Sequence, residues 1–315
     1  MAKASPIKPT VSINLCCYNS ERYLRKTLQS IIEQTFKNWE LVIVNDGSSD
    51  STESIVYEYK DKGYPIIYQY QDNKGLGASR NEALKLSHGK YIAFIDHDDI
   101  WLPEKLEKQI PLFEKNPKYG IVICDTIFFN DNGDIKQLYA KKKPPTGYVF
   151  RQLMSRYFIS LETVVIQRAA LDSLDEWFDV RFNMVEETDL LIRIAYEWEV
   201  GYVDEPLAKW RMHNASGTFS NKERAIEEKG LMFEKFCKKF KGFEQKYKNE
   251  VDMNKMQLEL RYALLNWESG ENAKARKRLK PYIFTDKRCG LTYLLTFLPS
   301  SIYKQLYKMR GMDPS

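Results

Sequence analysis

The sequence predicts an α/β protein: a Rossmann-like open, mixed sheet flanked by helices, with a helical C-terminal extension. Three observations predict it. Apolar β-rich runs alternate with helical patterns through the first hundred residues, the signature of parallel βαβ units. Two of those runs, "WELVIVND" and "KYIAFID", end in an aspartate, and open α/β sheets bind ligands at the carboxyl ends of their strands. From Asn221 on, the chain is helical in pattern and densely charged.

The elements follow in order. "VSINLCC" reads as a short strand. Asn19 or Ser20 is placed to cap the next helix, "ERYLRKTLQSIIEQT", whose Leu24, Leu28, Ile31 and Ile32 form an apolar stripe at helical spacing. "WELVIVND" is a buried strand closed by the turn "DGSSDS", "TESIVYEYKDK" a helix, "PIIYQY" a third strand, "GLGASRNEALKLS" a helix and "KYIAFID" a fourth strand. The middle changes character. "GIVICDTIFFNDNGDIKQLY" predicts a hairpin with an Asn-Gly turn, and "LETVVIQRAAL" a strand entering a short helix. "EETDLLIRIAYEW" predicts a helix and "GYVDEPLAKWRMH" a strand, turn and strand. "KERAIEEKGLMFEKFCKKFKGF", "MNKMQLELRYALLNWES" and "ENAKARKRLKPYIF" are amphipathic helices by pattern. The expected division is residues 1–220 for the α/β region and 221–315 for the helical region.

Composition bounds the function. An apolar share of 43% and a charged share of 29% over 315 residues fit a globular protein with a sizeable core. A net charge of +5 is mild and gives no argument for a nucleic-acid partner. The cysteines Cys16, Cys17, Cys124, Cys237 and Cys289 have neither metal nor redox spacing. Read as reduced, they fit a cytoplasmic location. The N-terminal "MAKASPIKPTVSINL" lacks the apolar stretch of a signal peptide, and no run approaches the roughly 20 apolar residues of a membrane span.

The chemistry concentrates in "FIDHDDIWLPEKL". A buried strand ends in Asp96, Asp98 and Asp99, with His97 between. Unpaired carboxylates crowded at a sheet edge cost desolvation energy, so something positive belongs there. Two carboxylates two residues apart suit a hard divalent cation, with a diphosphate supplying further oxygens; a solvated capping cluster is the plainer account. No GxGxxG follows the first strand, which argues against a dinucleotide site, and "NKGLGASRN" lacks the Gly-Lys-Ser/Thr of a P-loop. Alone, it reads as a loop entering a helix. His213, in "KWRMHNAS", is one of three histidines, and a lone histidine after an apolar strand is commonly structural. Asp189 and Arg193 stand four residues apart, the spacing of an ordinary ion pair on a helix surface.

Taken together, "VSINLCCYNSERYLRKTLQSIIEQTFKNWELVIVNDGSSDST", "NKGLGASRNEAL", "KYIAFIDHDDIWLPEKL", "EETDLLIRIA" and "WRMHNAS" resemble, in order and spacing, the inverting family-two glycosyltransferases of GT-A fold, over residues 10–216. The resemblance implies a nucleotide-diphosphate sugar lying across the strand ends, with residues 10–100 on the donor side and 101–220 on the acceptor side. It implies a DxD motif that holds the diphosphate through Mn²⁺ or Mg²⁺. By motif, Tyr18 corresponds to the position beside the base or ribose and Asp46 to the carboxylate that accepts a hydrogen bond from a pyrimidine N–H. Arg80 corresponds to a residue near the nucleotide, Asp96 to the sugar- or ribose-side acid, and Asp98 to the metal ligand. His213 corresponds to a histidine that reaches metal or diphosphate. Glu187 matches the catalytic base, with Glu186 as the alternative. Two departures stand out: Cys16-Cys17 replaces the usual Pro-Thr, and Glu187 replaces the usual Asp of "ED". The resemblance implies synthesis of bacterial surface polysaccharide on a glycan or polyprenyl-linked acceptor, with a UDP-sugar as the favoured donor.

Two other functions compete. A phosphatase of the haloacid-dehalogenase type also uses Asp-x-Asp, but after its first strand, whereas here the motif follows the fourth. A catalytically silent nucleotide-sugar-binding protein would not need Asp96, Asp98, an acidic base and His213 together. At the C-terminal end, "KARKRLKPYIFTDKRCGLTYLLTFLPSSIYKQLYKMR" joins basic clusters to Leu291, Leu294, Leu295, Phe297 and Leu298. Such a segment suits an anionic membrane surface, a homodimer contact, or packing onto the catalytic domain.

Overall fold

The structure, a computed structural model, describes residues 8–213 and 221–302. It divides into two compact units, Met1–Met212 and His213–Ser315.

The first unit is built on a nine-stranded sheet. Strands β1 (Val11–Cys17), β2 (Trp39–Asp46), β3 (Ile66–Gln71) and β4 (Tyr91–Phe94) lie in the order β3-β2-β1-β4, all parallel. Helices α1 (Leu24–Ile32), α2 (Thr52–Asp61) and α3 (Leu76–Leu86) make the connections. Every residue of β1, β2 and β4 is buried, which is why these runs are continuously apolar rather than alternating. Parallel pairing has a functional consequence: the carboxyl ends of β1, β2 and β4, with Tyr18, Asp46 and Asp96, all emerge on one edge.

Beyond β4 the sheet becomes mixed. Its order continues β4-β8-β6-β9-β5, with β5 (Ile100–Trp101), β6 (Tyr119–Asn130), β8 (Val165–Gln167) and β9 (Glu199–Arg211). Strand β8 runs antiparallel to both neighbours, while β6 and β9 are parallel. β7 (Gly133–Gln137) hangs from β6 as the expected hairpin. Helices α4 (Lys105–Lys115), α5 (Phe150–Ser155), α6 (Arg168–Asp172) and α7 (Glu186–Ala195) complete this half.

Three local expectations are corrected. Helix α1 begins at Leu24, with no side-chain cap. Asn19 and Ser20 are used in the loop before it: Asn19 sits at φ +48° and accepts the Ser49 N–H, and Ser20 Oγ accepts the Tyr18 N–H. The segment "GYVDEPLAKWR" is one strand, not two. Its pairing with β6 jumps from Cys124–Val203 to Asp125–Pro206, so Asp204 and Glu205 bulge out and Pro206, which has no N–H, is accommodated. The Asp189–Arg193 pair is fully buried rather than superficial. Arg193 also donates to the carbonyls of Glu176 and Trp177 and so ties α7 to the preceding loop.

The second unit is helical: α8 (Lys222–Lys239), α9 (Phe243–Lys246), α10 (Lys248–Glu268), α11 (Asn272–Leu279) and α12 (Lys287–Leu295). Met256, Ala263, Trp267, Ala275, Leu279 and Cys289 form its buried cluster. Asp286 caps α12 by accepting the Arg288 and Cys289 N–H groups. Among the described residues no helix is long and apolar enough to cross a membrane.

Candidate active site

The loops that follow β1 and β2 are sewn together at the strand ends. Ser48 Oγ accepts the Asn19 N–H, Asp50 accepts the Glu21 N–H and Glu21 accepts the Ser51 N–H. Tyr18 stands at this seam with 53% of its surface exposed, so its ring is available to a planar ligand. The turn after β2 is closed by Asn45, which accepts the Ser48 N–H. Asp46 is thereby released from turn duty and does something else.

Asp46 is buried and moors the loop ahead of α3. Its carboxylate accepts Gln71 Nε2 at 2.6 Å and the Lys74 and Gly75 N–H groups at 2.9 Å each. Gly75 has φ +88°, and a Cβ there would lie 2.6 Å from Asn183 Oδ1. Glycine is therefore required by both conformation and space. The two-glycine loop "NKGLGASRN" is thus a fixed collar around Asp46.

Helix α3 carries Arg80 inward. Its side chain is 3% exposed. One terminal nitrogen is 3.0 Å from Asp96 at the end of β4; the other is paired with Glu186 at the start of α7 and lies 4.0 Å from Glu187. The positive group expected at the acidic strand end is present in the chain itself. Burial alone would lower the Arg80 pKa, but pairing with two carboxylates, and a third at the limit of ion-pairing distance, raises it. The same grouping reaches Cys16: burial pushes its thiol up to about 12, Arg80 opposing and Asp96, Asp46 and Glu186 adding. Cys16 and Cys17 are free, buried thiols beneath the site.

Glu186 and Glu187 occupy the first turn of α7, where the helix dipole favours ionised carboxylates. They differ in setting. Glu186 is 4% exposed and held by Arg80, whereas a quarter of the Glu187 side chain reaches solvent. Desolvation pushes the Glu187 carboxyl up to about 8; Arg80 opposes this, and the charges of Glu186 and Asp96 reinforce it.

The Asp96–Asp99 turn is held by its backbone. Asp99 N–H donates to Asp96 O, the single Thr27 hydroxyl is shared between the carbonyls of His97 and Asp99, and Arg211 Nε donates to the Asp98 carbonyl. Asp99 is buried and accepts the Arg211 N–H; burial, with Glu162, Asp98 and Asp96 nearby, drives its carboxyl well above the usual range. Asp96 and Asp98 remain partly open at the edge. Among the described residues no three His, Cys, Asp or Glu side chains form a ready-made metal cage. Two carboxylates partly exposed at a strand end, all-oxygen in their donors, fit a cation that takes its remaining ligands from a diphosphate. His213 begins the second unit, and the Asn-Ala-Ser that follows it lies outside the described residues. The structure thus brings Asp46, Arg80, Asp96, Glu186 and Glu187 to one edge and sets Tyr18 and Asp98 on it. Sequence reasoning missed Arg211, although "WRMH" contains it.

A mixed sheet of this kind defines a GT-A class of α/β protein. The mannosyltransferase PcManGT from Pyrobaculum calidifontis, solved with GDP-Man and Mn²⁺, superposes with a TM-score of 0.63 over 95% of this chain and 84% of that one, at 15% identity. Residues 12–174 match the model of glycosyl transferase family 2, and the chain belongs to that family. It is 34% identical to the uncharacterized glycosyltransferase MJ1057 of Methanocaldococcus jannaschii, over 68% of this chain and 74% of that protein. It is also 34% identical to an Escherichia coli protein, the UDP-Glc:alpha-D-GlcNAc-diphosphoundecaprenol beta-1,3-glucosyltransferase WfgD, over 51% of this chain and 62% of that one.

Proposed function

We propose that this glycosyltransferase is a metal-dependent, inverting enzyme of surface-polysaccharide synthesis, moving a sugar from a nucleotide-diphosphate sugar to a glycan or polyprenyl-linked acceptor. The observation that carries the reading is Arg80, which joins the donor-side acid Asp96 to the helix that bears Glu186 and Glu187. Tyr18 and Asp46 take the base, Asp96 the sugar or ribose, and Asp98 the divalent ion, Mn²⁺ or Mg²⁺. His213 joins them by motif order alone. The bound ion would neutralise diphosphate charge and stabilise the leaving group. Glu187, not Glu186, removes the acceptor proton, because Glu186 is committed to Arg80. WfgD favours a UDP-sugar and a lipid-linked acceptor, while PcManGT keeps GDP-sugars in the test. Release of nucleoside diphosphate from UDP- and GDP-sugars, with and without Mn²⁺, tests the reading. A silent binder releases none, and a phosphatase acts on simple phosphomonoesters instead.

Asp46→Ala is expected to weaken nucleotide binding by about 1–3 kcal/mol. Part of that loss comes from releasing the 74–75 collar. Calorimetry with UDP and GDP separates the two contributions: equal losses for both nucleotides, with no discrimination in the wild type, remove a base-reading role.

Helix α12 and the turn after it expose Leu291, Leu294, Phe297 and Leu298, and Phe284 before it is 98% exposed. Lys287 and Arg288 open the same helix. This supports a peripheral contact with the anionic inner face of the cell membrane by a cytoplasmic enzyme. The rest of the basic segment, from residue 303, lies outside the described residues. Full-length protein is expected to sediment with anionic liposomes, and a truncation before Arg288 to remain in solution. Concentration-dependent dimerisation without lipid binding would assign the patch to a homodimer contact instead.

A further inference from the structure

Arg211, the last residue of β9, is buried to 3% exposure at the meeting point of four segments. Its guanidinium carbon lies 4.4 Å from the centre of the Tyr23 ring and 4.3 Å from that of Phe129. Phe129 is its cross-strand partner on β6. Its Nε donates to the Asp98 carbonyl and its backbone N–H to the Asp99 carboxylate, both at 2.8 Å. Its outer nitrogen faces Asp131, at the tip of the β6–β7 hairpin, at 3.6 Å.

These contacts have one common effect. The carbonyls of Asp96, His97, Asp98 and Asp99 are consecutive, and each faces a donor: Asp96 the Asp99 N–H, Asp98 the Arg211 guanidinium, and His97 and Asp99 the single hydroxyl of Thr27, which they share. The bond to Asp98 is the one made by a charged group. We infer that Arg211 is a positioning residue for the donor site: it fixes the peptide plane of Asp98 and hence the direction in which that carboxylate leaves the turn. The inference rests on the metal–diphosphate reading of Asp98.

Lysine cannot substitute for this geometry. It keeps the charge but has neither the flat face that two rings grip nor an Nε–H held at a fixed angle. A carboxylate whose backbone is free to rotate loses the advantage of a prearranged ligand.

The test is calorimetric binding of UDP, with GDP in parallel, over a Mn²⁺ series, using the full chain. In Arg211→Lys the Mn²⁺ concentration that gives half the metal-dependent gain in nucleotide affinity should rise about tenfold or more, while metal-free nucleotide affinity stays within about twofold. Phe129→Leu removes one ring and leaves the hydrogen bonds, so it should move the Mn²⁺ response in the same direction by less; it decides the matter if Arg211→Lys does not fold. A folded variant with a lower melting temperature and an unchanged Mn²⁺ response overturns the inference and leaves Arg211 merely structural. A wild type whose nucleotide binding ignores Mn²⁺ overturns the metal reading itself, and this role of Arg211 with it.

Discussion

Glu187→Gln should slow sugar transfer by about a hundredfold or more while leaving donor affinity nearly unchanged. Glutamine keeps the shape and hydrogen bonding of the side chain but cannot take the acceptor proton. In the inverting reaction proposed above, attack comes opposite the leaving group, so a base would stand across the sugar from the diphosphate. The start of α7 suits that task, because buried Leu190, Leu191, Ile192, Ile194 and Ala195 anchor the helix in the core and fix the direction of its first turn. A rate near wild type in a folded Glu187→Gln protein would sink the assignment. If Glu186→Gln is the inactive variant and Glu187→Gln the active one, the base is Glu186 and its pairing with Arg80 must open during turnover.

The raised pKa of Glu187 sets the sign of two pH effects. A base works only when ionised, so transfer by the free enzyme should fall as pH drops below about 8, the value to which its surroundings push the carboxyl. Stability runs the other way. The folded state holds the proton more tightly than the unfolded chain, so this contribution is fully present below the ordinary glutamate pKa. It is lost as pH rises through about 8. Glu187→Gln escapes that loss. Its melting temperature relative to wild type should therefore climb between pH 5 and pH 9, a trade of stability against activity that a surface glutamate would not show.

What the sequence disclosed depended on whether a signal was local. Strands β1, β2 and β4 were readable because each is an unbroken apolar run covered on both faces, and parallel order then placed Tyr18, Asp46 and Asp96 on one edge without further information. The motif points to Arg80 but says nothing of the carboxylates that hold it. Its partners Asp96 and Glu186 lie 16 and 106 residues away, and no spacing rule reports that this arginine has both terminal nitrogens engaged by protein. Asp46 is the same case, since its ligands include backbone N–H groups 28 and 29 residues on. The β9 bulge was hidden by Pro206, which reads as a turn unless the partner strand is known. Arg211 carried no sequence signal of its own, because its meaning lies in two rings and a carbonyl contributed by other segments.

Asp98→Ala should reduce transfer to background and abolish Mn²⁺-dependent nucleotide binding while leaving the fold intact. The fold survives because the turn is held through the Asp98 carbonyl, which alanine retains, and through Thr27, Arg211 and the Asp99 N–H. Asp96→Ala provides the contrast. It too should be severely impaired, but it removes one of the carboxylates that neutralise buried Arg80. Leaving a buried charge under-compensated destabilises the folded state, so Asp96→Ala should melt below Asp98→Ala even though both sit at the same strand end. Circular dichroism melts of the two variants, paired with UDP and GDP titrations over a Mn²⁺ series, separate a ligand of the ion from a partner of the arginine. Near-normal activity in Asp98→Ala would remove the DxD assignment. Equal melting temperatures for the two variants would mean that Glu186 alone satisfies Arg80, and the bridge from Asp96 to α7 would then have only one working end.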